Sequence, residues 1–138
     1  MMANGMDRTV LVVADGDQKS YSERLPVKRG GRLAYVRVEE VDWIEARRNY
    51  VCVHRGGESY AIRRTMISME TDLDPRKFIR IHRSTIVNID RIKALRPLIS
   101  GHVIVELDNG STLSLGRSYR RKLTPQIQRM GESGMSIQ

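Results

Sequence analysis

The 138 residues include one cysteine, Cys52, one tryptophan and one phenylalanine. A single thiol excludes an internal disulfide framework and fits a reducing compartment. No apolar run approaches the roughly 20 residues that span a bilayer, so no membrane segment is expected. The short stretch 9–14 is followed by acidic and polar residues and makes a poor signal peptide. Catalytic signatures are equally scarce, with no Gly-rich phosphate loop, no His-Glu-x-x-His and no Cys-x-x-Cys. Cys52 and His54 stand two apart on a predicted strand and share a face, yet two donors make no metal site without partners. Asp42 and Glu45 have no nucleophile beside them and are read as counterions for nearby arginines. Asp15 and Asp17 fall in a 24-residue segment too short to build a phosphorylatable receiver. The sequence thus predicts a chain that is not an enzyme and holds no metal or cofactor.

What the chain has in quantity is positive charge. Its 24 Lys and Arg against 16 Asp and Glu give a net charge of +8. The excess is concentrated between residues 25 and 122, with 20 basic and 11 acidic groups, a surplus of nine. Most of the basic residues are arginines, whose planar fork suits phosphates and guanine edges. A basic domain with near-neutral flanks predicts a polyanionic partner.

Strand signals are dense from Leu25 onward. Residues 1–24 read as a linker or arm, 25–124 as one domain and 125–138 as a tail. Gly30-Gly31 and Gly56-Gly57 close hairpins, and Asp108-Asn109-Gly110 reads as a further hairpin with a type I′ turn. Strands are expected at 41–45 and 50–55, flanking a basic loop at 46–49. Residues 37–40 predict a short helical turn. Met66, Met69 and Leu73 make one apolar stripe, so 65–73 predicts a short helix capped by Thr65 and ended by Asp74-Pro75. A second short helix is expected at 118–123, with Pro125 starting a further turn. Eight or more short strands at regular spacing predict a mainly β, antiparallel fold.

The segment from Phe78 to Asn88 alternates Ile79 and Ile81 with Arg80 and His82, breaks at Arg83-Ser84 and resumes as buried Ile86-Val87. Arg47-Arg48-Asn49-Tyr50 and Arg117 to Lys122 form two more basic clusters. Asn49 has two readings: an amide able to pair with adenine, or a turn residue in the left-handed region. Arg83, beside the hydroxyls of Ser84 and Thr85, reads as a nucleic-acid contact or an exposed ion pair. Arg117 precedes the terminal helix, where Ser118 either receives a phosphate or caps the helix. Asn88 reads as the cap of the turn at 89–91.

Taken in order, Val41-Asp42-Trp43-Ile44-Glu45-Ala46, Asn49-Tyr50-Val51, the helix, the Phe-x-Arg-x-His-Arg-Ser-x-x-Val-Asn segment and Leu115-Gly116-Arg117-Ser118-Tyr119 resemble the LytTR DNA-binding domain of bacterial response regulators. The resemblance covers about residues 25–123. It implies an elongated assembly of β-sheets whose loops enter successive major grooves and bend the duplex. On this resemblance Asn49, Arg83 and Arg117 read bases, while Arg47, Arg48, Arg80, Ser84, Ser118 and Arg121 contact the DNA backbone. Gly116 departs from the serine common at that position. The resemblance further implies promoter direct repeats bound by pairs of protomers, an upstream sensor kinase or regulatory partner, and a bacterial cytoplasm. Two alternatives differ in class. A single-strand or RNA binder would want more aromatic platforms than this chain offers. A β-rich protein–protein module would show no salt-dependent duplex binding.

Overall fold

The computed structural model describes residues 20–123, which form ten strands in three antiparallel sheets and little helix. This is the mainly β architecture expected. The expectations for the arm before residue 20, and for the tail and Pro125, lie outside the described residues. Strands β1 (Arg24–Arg29) and β2 (Arg32–Arg37) make a hairpin. Gly30 and Gly31 close it with φ of 59° and 77°, the positive pair that a type I′ turn requires. A 3₁₀ turn at Val38–Glu40 follows, as residues 37–40 predicted.

The central sheet contains β3 (Trp43–Arg47), β4 (Tyr50–Arg55), β5 (Glu58–Ile62), β6 (Phe78–His82) and β7 (Thr85–Asn88), in the order β5-β4-β3-β7-β6. Strand β3 begins two residues later than expected. Val41 and Asp42 form the approach to it, where the Asp42 N–H donates to the His54 carbonyl at 2.8 Å. Strands β8 (Ile92–Pro97), β9 (Val103–Leu107) and β10 (Thr112–Leu115) form the third sheet.

Apolar residues on both faces of the central sheet explain why three sheets stack here. On one face Ile44, Val51, Val53, Phe78 and Ile86 join Leu25, Val27 and Val36 of the first hairpin. Helix α1 (Met66–Asp72) closes that side with Met66, Met69 and the following Leu73. On the opposite face Ile79, Ile81 and Val87 meet Ile92, Val105, Leu107, Leu113, Leu115 and Leu123. The alternation in β6 therefore feeds two cores rather than a core and a solvated face. Truncating a fully buried member such as Ile44 or Ile81 to alanine costs about 2–5 kcal/mol.

Helix α1 starts where the Thr65 hydroxyl accepts the Ser68 N–H at 3.1 Å, and it ends before Asp74-Pro75. A second helix, α2, is described over 120–123. Asn88 is buried and accepts the Asp90 N–H at 3.0 Å, capping the 3₁₀ turn Ile89–Arg91 as its position predicted. Its amide also donates to the Val41 carbonyl at 2.8 Å, tying β7 to the approach of β3.

The turn at Asp108-Asn109-Gly110 differs from expectation. Only Gly110 takes a positive φ, 92°, and its N–H donates to the Leu107 carbonyl at 3.0 Å. This is a three-residue loop ending in a left-handed glycine, not a two-residue type I′ turn. Asn109 is held by its side chain, which accepts the Ser111 N–H at 2.9 Å and reaches Asp42 at 3.4 Å.

Candidate nucleic-acid interface

Two loops of the central sheet and one that follows the third sheet are tied together by backbone hydrogen bonds. The first is the β3–β4 turn, where Arg47 pairs with Tyr50 and leaves Arg48-Asn49 as the connection. The left-handed residue is Arg48, with φ of 43°, and not Asn49. A two-residue hairpin needs a positive φ at its first central position to match the strand twist, and that position belongs to Arg48. Arg47, Arg48 and Asn49 are all exposed. Arg47 leans back to donate to Glu45 Oε1 at 3.2 Å.

The second loop, Arg83-Ser84, joins β6 to β7. Pairing in these strands runs Arg80 to Ile86 and then His82 to Thr85, so Ile81 has no partner across the ladder. This bulge frees the Ile81 carbonyl. His82 Nδ1 accepts the Ser84 N–H at 3.1 Å and lies 2.9 Å from its hydroxyl. A nitrogen that accepts a backbone N–H carries no proton, so the neutral imidazole holds its hydrogen on Nε2. Arg80 is only 15% exposed. It pairs with Glu70 of α1 at 3.2 Å and donates to the His82 carbonyl at 3.3 Å and to the Arg83 carbonyl. Arg80 and His82 thus wrap the turn from within and leave Arg83 exposed at its tip. Ser84 is half-buried.

The third loop follows β10. The Gly116 N–H donates to the freed Ile81 carbonyl at 2.7 Å, and a 3₁₀ turn, Arg117–Tyr119, leads into α2. A Cβ at Gly116 would stand 3.1 Å from the Tyr119 ring and 3.5 Å from both His82 and the Ile81 oxygen. A side chain at this position would need the Tyr119 ring to give by a few tenths of an ångström. Ser118 does not cap a helix. The residue preceding the turn is Gly116, without a side-chain cap, and Ser118 lies inside the turn. Arg117, Ser118 and Arg121 are exposed.

Two backbone hydrogen bonds put these loops in a row. The Ala46 N–H donates to the Ser84 carbonyl at 2.9 Å, joining first to second, and the Gly116–Ile81 bond joins third to second. Among the described residues, neither the Arg83 nor the Arg117 guanidinium has a hydrogen-bond or ion-pair partner. Arg48 and Arg121 are likewise without a partner among the described residues, whereas several arginines elsewhere are engaged: Arg55 with Glu40 and Glu58, Arg64 with Asp72, Arg76 with Asp74, and Arg91 with Asp42. Strand parity marked β6 as cationic, but the bulge and the inward turn of Arg80 depend on Glu70 and on contacts distant in sequence.

Behind the first loop, burial acts to raise the Glu45 carboxyl, but hydrogen bonds from His54 and Arg47 outweigh it and hold the group below its ordinary range. Glu45 therefore stays ionised, and its partner Arg47 keeps only half its side chain exposed.

The family model of the LytTr DNA-binding domain matches residues 31–128. The chain belongs to this family. Among curated relatives, this LytTr domain is 25% identical over 121 residues to the transcriptional regulatory protein LytR of Staphylococcus aureus strain MW2, covering 88% of the chain and 49% of the relative. It is also 25% identical over 113 residues to the sensory transduction protein LytT of Bacillus subtilis, covering 80% and 47%. The chain spans about half the length of these relatives. A solved LytTr DNA-binding domain from Bacillus cereus superposes with a TM-score of 0.70 at 24% identity, covering 77% of this chain and 97% of that one. That likeness establishes a shared fold. No helix among the described residues is long and apolar enough to cross a membrane.

Proposed function

We propose that this LytTr domain is the DNA-reading part of a bacterial transcription regulator acting in the cytoplasm. Two protomers bind promoter direct repeats under the control of an upstream sensor or other regulatory partner. The observation that carries the reading is the middle loop: Arg83 stands exposed, without a partner among the described residues, on a turn clamped by Arg80 and His82, with the other two loops hydrogen-bonded to it. A guanidinium can read a guanine edge in the major groove bidentately, and here the braced turn fixes where the Arg83 side chain leaves the body before DNA arrives.

In this reading Arg83 and Arg117 read bases and Asn49 offers its exposed amide to an adenine edge. Arg47, Arg48, Ser118 and Arg121 meet phosphates and fix the register without specifying sequence. Ser84 contributes its turn and a half-buried hydroxyl. Arg80 is better placed to brace the second loop than to touch a phosphate, since its donors already serve Glu70 and two carbonyls.

Selection of bound duplexes from a random pool tests the reading. The expected product is a consensus with two like-oriented half-sites. Recovery of single-stranded RNA in preference to duplex from a mixed pool, or of duplexes without consensus, would count against it.

A further inference from the structure

The face of β3 and β4 behind the first loop gathers three unlike metal donors. Cys52 and His54 project to one side of β4, and the register places Glu45 of β3 directly opposite Cys52. Their donor atoms lie within 4.8 Å of one another, and all three residues are half-buried. The sequence shows only the Cys52–His54 pair, and the strand pairing adds the missing carboxylate.

We infer that Glu45, Cys52 and His54 form a binding site for one zinc-class divalent ion, with solvent at the fourth position. The donor set of thiolate, imidazole and carboxylate suits zinc or cobalt better than hard ions such as magnesium or calcium, which take oxygen donors. Zinc-to-ligand lengths of about 2.0–2.3 Å in a tetrahedron put donor atoms about 3.4–3.8 Å apart. The present spread closes to that range by side-chain rotation, while the Glu45–His54 contact at 2.9 Å opens slightly.

The surroundings are already those of a ligating histidine. The Ser59 hydroxyl lies 3.0 Å from His54 Nδ1, so Nε2 is the nitrogen that faces Glu45 and Cys52. With a metal on Nε2, Nδ1–H donates to Ser59, the outer hydrogen bond that orients metal-bound imidazoles. Trp43 stacks on the other side of the ring at 4.1 Å and 15°, fixing its plane. Binding moves the imidazole proton from Nε2 to Nδ1 and releases the Cys52 thiol proton to solvent. Arg47 competes, since it donates to the same Glu45 oxygen. It sits beside the β3–β4 turn with half its side chain exposed, so it can swing away.

Cobalt titration of the full chain in the absence of DNA tests the site independently of the DNA-reading proposal. Cys52 is the sole thiol and Trp43 the sole tryptophan, so both signals are unambiguous. The expected result is a thiolate-to-cobalt charge-transfer band saturating at one ion per chain, with parallel quenching of Trp43 fluorescence. Zinc should displace the cobalt and erase the band. Cys52→Ser should abolish the band, and His54→Gln, which keeps the thiol, should weaken binding at least tenfold. Arg47→Ala should tighten binding roughly two- to fivefold by removing an exposed competing cation. Circular dichroism melts establish that each variant is folded. Absence of the band at saturating cobalt, one ion shared between two chains, or indifference of folded His54→Gln would overturn the proposal.

Discussion

Arg83 and Arg117, like Arg48 and Arg121, have their guanidinium groups unengaged among the described residues. Each should therefore give its full donor set to DNA without first breaking an ion pair. Arg83→Ala and Arg117→Ala are expected to weaken binding to the selected duplex by roughly 1–3 kcal/mol each, with a much smaller loss on random duplex. Titrations of labelled duplexes check this, and equal losses on both would remove the base-reading role. Arg48 invites a different substitution. A non-glycine residue in the left-handed region costs on the order of 1 kcal/mol. Arg48→Gly should therefore stabilise the fold by up to about 1 kcal/mol in urea denaturation, less what the more flexible unfolded chain takes back. It should also weaken DNA binding through loss of a cation. The basic cluster was legible in the sequence, but which of Arg48 and Asn49 takes the strained conformation was not. That choice follows from hairpin register, fixed by the pairing of Arg47 with Tyr50.

Strands β6 and β7 with their turn form the element on which the middle loop depends. If Arg80 braces this turn, Arg80→Met keeps the apolar stem, lowers affinity and leaves the salt dependence unchanged. A phosphate contact would instead reduce the log–log salt slope by about 0.9. The hairpin of β4 and β5 carries a pH-dependent contribution. The Tyr60 hydroxyl, then Arg55 and Arg29, hold the Glu58 carboxyl down to about 2 from its ordinary 4.5. A carboxyl lowered by folding stabilises the native state above its ordinary value, and the benefit disappears as the pH falls from 4.5 toward 2. The melting-temperature gap between wild type and Glu58→Gln should be present at neutral pH and close across that window. Hairpins, the α1 stripe and both the Thr65 and Asn88 caps were legible, because each rests on residues close in sequence. The Asn109 turn departs from the expected type I′ form: its side chain works on Ser111 and Asp42, and Gly110 alone takes the positive φ.

For the whole molecule, the balance of charge and the strand rhythm announced a basic, mainly β domain. Sequence could not show that the central sheet is buried on both faces, or that the Ile81 bulge receives Gly116. Nor could it show Glu45 standing opposite Cys52. The third depends on the register of the β3–β4 hairpin, and the first two on contact across long stretches of chain. Its functional consequence is that three loops separate in sequence are hydrogen-bonded into one row. Binding should fall steeply with salt, by about 0.9 in log–log slope for each phosphate contacted.

The most direct test of this row is a missing-contact experiment on the selected duplex, with every base pair substituted in turn against wild type, Arg83→Ala and Arg117→Ala. The account predicts that each variant loses sensitivity at its own base pairs, and that the two sets are displaced from each other along one face of the DNA. Loss of sensitivity at the same base pairs in both variants, or at none in either, would contradict it.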